Sequence, residues 1–244
     1  MNKRKIIFVA CDTSNINRVK RILRDTQTNK LKIIPKFGLQ FFYSKNGRRF
    51  LEKFKGSYFL DLKIKDTSNT AISAIDSIKD LKGCKYTTIH VDGGLKMMQA
   101  VKKKSRKNLH ILGVTVLTSL DNKSIKEIGH TKNINEIVIK QAGLIKKSKC
   151  FGIVASAQEA KIIKKKYKNL FIVTPGIRLP GDKKDDQSRV VTPYEALFKY
   201  NADAIVIGRS LTKNNIKTNV KKLIDHLNQW LEVLKFVGSP TLKL

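Results

Sequence analysis

The feature that most constrains this chain is a recurring short apolar run rich in Ile, Val and Phe. The runs are IIFVAC (6–11), LKIIP (31–35), SYFLDL (57–62), YTTIHV (86–91), LHILGVTVL (109–117), CFGIVAS (150–156), LFIVTPG (170–176) and DAIVIGR (203–209). Their length and β-branched content favour strands. Between them lie longer segments with helical spacing, such as Val19, Ile22 and Leu23, or Ala157 to Tyr167. Alternation of this kind predicts an α/β fold built on a parallel sheet. Eight repeats in about 240 residues predict a (β/α)8 TIM barrel rather than an open sheet. No linker rich in Pro, Gly or Ser divides the chain. A single domain is expected over 1–235, its last helix carrying Trp230, with a loose tail over 236–244.

Composition narrows the class. At 41% hydrophobic and 28% charged, the chain can bury a core and has no signature of bulk disorder. No apolar run approaches a membrane span, and no membrane association is expected. The apolar run after the basic N-terminus ends at Asp12, too soon for a signal sequence, and reads as a first strand. Cys11, Cys84 and Cys150 are far apart and form no CxxC pair, which fits core thiols in a cytoplasmic protein. Lys+Arg number 50 against 19 Asp+Glu, a formal charge of +31. The lysines are spread in short runs with no nucleic-acid-binding motif beside them. They read as solvated faces, so nucleic acid is not an expected partner, although their field would draw phosphorylated substrates.

In a barrel of this kind, functional residues gather at the C-terminal ends of the strands. Asp12 follows the first run, Lys36 the second, Asp61 and Lys63 the third, and Thr118 the fifth. Arg178 follows the seventh, and Gly208 with Arg209 the eighth. Gly208 would let backbone approach an anion, the next helix would offer N–H groups, and Arg209 a charged fork. The stretch RLPGDKKDDQSR (178–189) reads as a flexible loop or as a lid. In FLDLKIKDTSNT (59–70), strand alternation turns Leu60 and Leu62 one way and Asp61 and Lys63 toward the barrel mouth, beside Lys36. Alternating signs in Lys36, Asp61, Lys63 and Asp66 offset one another's desolvation. An ammonium aimed into a pocket can stabilise a carbanion and then protonate it. The spacing equally admits a rim salt-bridge network with no chemistry.

FLDLKIKDTSNT resembles the signature of the orotidine 5′-phosphate decarboxylase family, Asp-x-Lys-x-x-Asp followed by Asn-Thr. VACD resembles the family's first strand with its ribose-binding Asp, and PKFGLQFF the second with its Lys. TVLTSL, GIVASAQEA, VTPGIR, DQSRVVTP and IVIGR resemble later segments in family order, so the resemblance covers nearly all of residues 5 to 230. It implies a homodimeric lyase of pyrimidine biosynthesis that needs no metal or other cofactor. Orotidine 5′-monophosphate would lose CO2 to give uridine 5′-monophosphate through a vinyl carbanion stabilised and protonated by Lys63. Lys36, Asp61 and Asp66 would complete the charged array, with Asp66 reaching across from the partner subunit. Asp12 and Lys36 would bind ribose hydroxyls, with Asp66 and Thr70 contributing at the subunit boundary. Thr118 would contact the substrate near its base. Arg178, Gln187, Gly208 and Arg209 would hold the phosphate, with the 178–189 stretch as a lid.

Thr67 and Ser68 stand where the family commonly has Ile-Pro, Lys65 where His is frequent, and Gln40 where Glu is. None of these changes touches the charged array. His90 reads as a packing residue rather than a base, and VDGG (91–94) as a turn into a helix rather than a phosphate nest. Two other readings compete. Metal-dependent phosphosugar lyases and decarboxylases share DxKxxD but place a carboxylate at the end of strand two, where Lys36 would oppose Mg²⁺. A polyanion-binding module with a vestigial site would follow from the charge, and its affinity would survive loss of Lys63.

Overall fold

Each apolar run becomes a strand. The computed structural model describes residues 5–182 and 190–236, the side chains of 230–236 excepted. Its strands are β1 (Ile6–Ala10), β2 (Lys32–Phe37), β3 (Tyr58–Ile64), β4 (Cys84–His90), β5 (His110–Val114), β6 (Gly152–Val154), β7 (Phe171–Ile177) and β8 (Ala204–Ile207). All pair in parallel and in chain order, and β8 closes on β1 from Ile6↔Ala204 to Val9↔Ile207. Helical segments fill the crossovers, and Ile216–Phe236 forms the long last helix. The fold is therefore a (β/α)8 TIM barrel. The segment 237–244, most of the expected tail, lies outside the described residues.

Boundaries differ from the sequence expectation in ways that matter for the site. β2 runs on through Lys36, and β3 through Asp61 and Lys63 to Ile64, so these charges sit within the last residues of their strands. β5 stops at Val114, leaving Thr118 in the following loop. Two short helices, Leu39–Phe42 and Gly47–Lys53, precede β3 and were not separable in the sequence.

The period of two explains how one strand serves both core and site. A small inner cluster joins Ile6, Phe8, Ile34, Phe59, Tyr86, Leu112, Val173 and Ala204. Phe8 meets Phe59 and Tyr86 edge-on at 4.9 and 5.1 Å between ring centres, filling the barrel interior with aromatic contact. Ile7, Val9, Leu60 and Ile111 belong to the larger cluster between sheet and helices. Moving two residues along the inward face takes Ile34 to Lys36 and Phe59 to Asp61, from apolar floor to charged mouth. The helix Ala157–Lys166 starts on a reciprocal cap: Glu159 N–H donates to Ser156 Oγ at 3.4 Å and Ser156 N–H to Glu159 Oε2 at 2.8 Å. That satisfies a buried carboxylate just beyond the end of β6.

Candidate active site

At the C-terminal end of the barrel lies a cavity of about 440 Å³, within the range of small-molecule sites. Its polar lining includes Asp12, Lys36, Asp61, Lys63, Thr118, Arg178 and Arg209, and its walls include Val114, Val154 and Val206. Charges that the sequence places at the ends of five different strands therefore open onto one space.

Asp12, Lys36, Asp61 and Lys63 form one continuous chain of ion pairs. Lys36 Nζ lies 3.4 Å from Asp12 Oδ1 and 3.3 Å from Asp61 Oδ2, and Lys63 Nζ lies 2.8 Å from the same Asp61 oxygen. Thr88 Oγ donates to the other oxygen, Asp61 Oδ1, at 2.8 Å. Burial alone pushes the Asp61 carboxyl up, but Lys36 and Lys63, with hydrogen bonds from Lys63 and Thr88, outweigh it and hold it at about 2. Burial likewise works against the Lys36 ammonium, and Asp61 and Asp12 more than offset it, leaving Lys36 above its ordinary value. Lys63 is the more open lysine, its side chain 35% exposed against 9% for Lys36. Cys11, behind Asp12, is pushed up to about 12 by burial and by Asp12, so it does not compete as a nucleophile.

Asp61 and Lys63 do not converge through the regular alternation that the spacing suggested. The β3–β4 register runs Leu60↔Thr87 and then Ile64↔Ile89, so three residues of β3 stand opposite Thr88 alone. Such a bulge re-aims side chains. Within it Lys63 adopts a φ of 49°, a left-handed conformation that costs a non-glycine residue about 1 kcal/mol or more. Gly38 is a second feature missing from the sequence reading. A Cβ there would stand 3.1 Å from Asp12 Oδ1 and 3.6 Å from Lys36 Nζ, so glycine keeps room for both.

The far side of the cavity is cationic. Arg178 is buried, and its backbone N–H donates to Val191 O at 3.0 Å; Arg209 is exposed. A Cβ on Gly208 would meet only Ala10 Cβ, at an ordinary 3.7 Å, so the space beside this glycine belongs to the cavity rather than to packing. The helix after it, Arg209–Thr212, is a single turn, so little dipole is available there and the positive charge at this part of the cavity comes from the arginines.

Asp66 and Thr70 do not line this cavity. Both are exposed, Asp66 just before and Thr70 within the helix Ser68–Asp76, where Asp66 Oδ1 accepts the Thr67 N–H and the hydroxyls of Thr67 and Thr70 lie 3.1 Å apart. Gln187 and most of the expected lid fall outside the described residues. His90 is half-buried, burial holds it below the ordinary histidine value, and its Nδ1 has no partner among the described residues, in keeping with packing. VDGG forms one 3₁₀ turn leading into the helix Gly94–Lys104, as expected. Among the described residues no group of three or more His, Cys, Asp or Glu could hold a metal ion, and no helix is long and apolar enough to cross a membrane.

Known proteins are similar to this chain in sequence and in fold. The model of the "Orotidine 5'-phosphate decarboxylase / HUMPS family" matches residues 5–223. Orotidine 5′-phosphate decarboxylase from Wolbachia sp. subsp. Brugia malayi is 39% identical over 224 residues, 89% of this chain and 96% of that protein. The enzyme of the same name from Sphingopyxis alaskensis is 32% identical over 211 residues, 86% and 92% of the two chains. The crystal structure of orotidine 5′-phosphate decarboxylase from Lactobacillus acidophilus superposes with a TM-score of 0.77 at 26% identity, covering 92% of this chain and 99% of that one. The match spans the barrel from β1 through β8 and includes every residue of the charged array, and on this ground the chain belongs to the orotidine 5′-phosphate decarboxylase / HUMPS family.

Proposed function

We propose that the protein is a carboxy-lyase of pyrimidine biosynthesis that converts orotidine 5′-monophosphate to uridine 5′-monophosphate and CO2. The curated relatives carry this activity in their names over most of both chains. The observation that carries the mechanism is the Lys36–Asp61–Lys63 array facing Arg178 and Arg209 across one cavity.

The arginines would bind the phosphate together with Gln187, with Gly208 leaving backbone room for it. Asp12 and Lys36 would take the ribose hydroxyls, and Thr118 would contact the substrate near its base. This anchoring sets the C6 carboxylate beside Lys63. The C6–carboxyl bond breaks, CO2 leaves, and the electron pair stays on C6 as a vinyl carbanion. The Lys63 ammonium lowers the energy of that charge as it forms and then transfers its proton, making the C6–H bond. Asp61, already fixed by Lys36 and Thr88, needs no reorganisation to hold Lys63 on target.

The reaction proposed needs no metal or organic cofactor. Lys36 stands at the end of β2, where a divalent cation would be repelled, which disfavours the metal-dependent phosphosugar branch. The active form proposed is a cytoplasmic homodimer in which the partner subunit supplies Asp66 and Thr70; their exposure, away from their own chain's cavity, supports that role. Release of labelled CO2 from carboxyl-labelled orotidine 5′-monophosphate in excess EDTA tests the proposal. Release only after Mg²⁺ is restored, or none from folded protein, contradicts it.

A further inference from the structure

We propose that Thr88 is a positioning residue for the decarboxylation, its hydroxyl acting as the pivot that fixes Lys63 and Asp61 relative to each other. The inference rests on the proposed function. At the β3–β4 bulge, residues 61 to 63 face Thr88 alone, so the regular ladder is interrupted where the two charges sit. The backbone N–H of Lys63 instead donates to Thr88 Oγ at 2.9 Å, and Thr88 Oγ donates to Asp61 Oδ1 at 2.8 Å. One hydroxyl thus accepts from the backbone of the proton donor and gives to the carboxylate that holds its ammonium, using its acceptor and donor capacity together.

The relay accounts for the left-handed Lys63. A lysine at φ 49° relaxes unless its surroundings hold it. Thr88 is fully buried and rooted in the middle of the β4–β5 ladder, where Thr88↔Leu112 is in register, so it is a rigid anchor. Thr87 supplies the contrast. It is equally buried, yet its hydroxyl has no partner among the described residues. The two neighbouring threonines are equally buried but on opposite faces of the strand, and of the two only Thr88 has its hydroxyl wired to the charged array.

Three variants test this in the orotidine 5′-monophosphate assay, with wild-type conversion reporting separately on the proposed function. Thr88→Val keeps the shape and removes both hydrogen bonds; kcat is expected to fall by about 10- to 100-fold with KM within about threefold, since the groups that bind the substrate are untouched. Thr88→Ser restores the hydroxyl and is expected to recover kcat to within about fivefold of wild type. Thr87→Val, the packing control, is expected to keep wild-type kcat. A kcat for Thr88→Val within tenfold of wild type, a loss carried by KM, or a Thr88→Ser no better than Thr88→Val overturns the proposal. If Thr88→Val does not fold, Thr88→Cys, which weakens both bonds at similar volume, takes its place with the same thresholds.

Discussion

Asp61 is the residue on which the site turns. It neutralises two lysines at once, and its ionisation is coupled to folding. Its folded value of about 2 lies below the ordinary carboxylate range, so its ionised form stabilises the fold by about 2 kcal/mol above about pH 4. That contribution is lost as pH falls toward 2. Urea unfolding of wild type and Asp61→Asn should therefore give a stability gap that narrows between about pH 4 and pH 2; a gap independent of pH would count against the ion network. Above about pH 4 the carboxylate stays charged, so an acid limb of activity in that range belongs to another group. In the assay, Asp61→Asn leaves Lys36 and Lys63 without their shared counterion, and kcat should drop by about 10³-fold or more.

At the scale of elements, strand ends and their glycines set the site. Gly208→Ala would place a methyl beside the cavity while meeting only Ala10 at an ordinary distance. KM for the substrate should rise about tenfold, with kcat changed far less; an unchanged KM would remove Gly208 from the phosphate end. Much of this scale was legible beforehand. Eight Ile/Val-rich runs gave the strands and their parallel order, because buried parallel strands need such runs. Lys36, Asp61, Arg178 and Arg209 could be placed because strand period and the barrel's polarity locate them without knowledge of contacts. The bulge could not be read. The hydroxyl that its Lys63 N–H meets belongs to Thr88, which is 25 residues beyond Lys63 in sequence and looks like an ordinary strand residue. Gly38 was missed for a similar reason, since its meaning is a steric clearance to Asp12, which follows a different strand.

For the whole molecule, the proposed shared sites make a quantitative prediction. Lys63→Ala and Asp66→Asn homodimers should each be nearly inactive, but mixing equal amounts and allowing exchange should restore about a quarter of wild-type activity. Half the dimers are then mixed, each with one intact site. Failure to recover activity despite exchange would place Asp66 within its own chain's site or outside catalysis. The overall charge of +31 should draw the phosphorylated substrate, so kcat/KM should fall as salt rises. The most direct measurement follows the absorbance change of orotidine 5′-monophosphate with purified protein in excess EDTA, beside Lys63→Ala. Conversion to uridine 5′-monophosphate by wild type and loss of that conversion in the variant is the predicted result. Equal conversion by Lys63→Ala, or none by folded, dimeric wild type, would contradict the account.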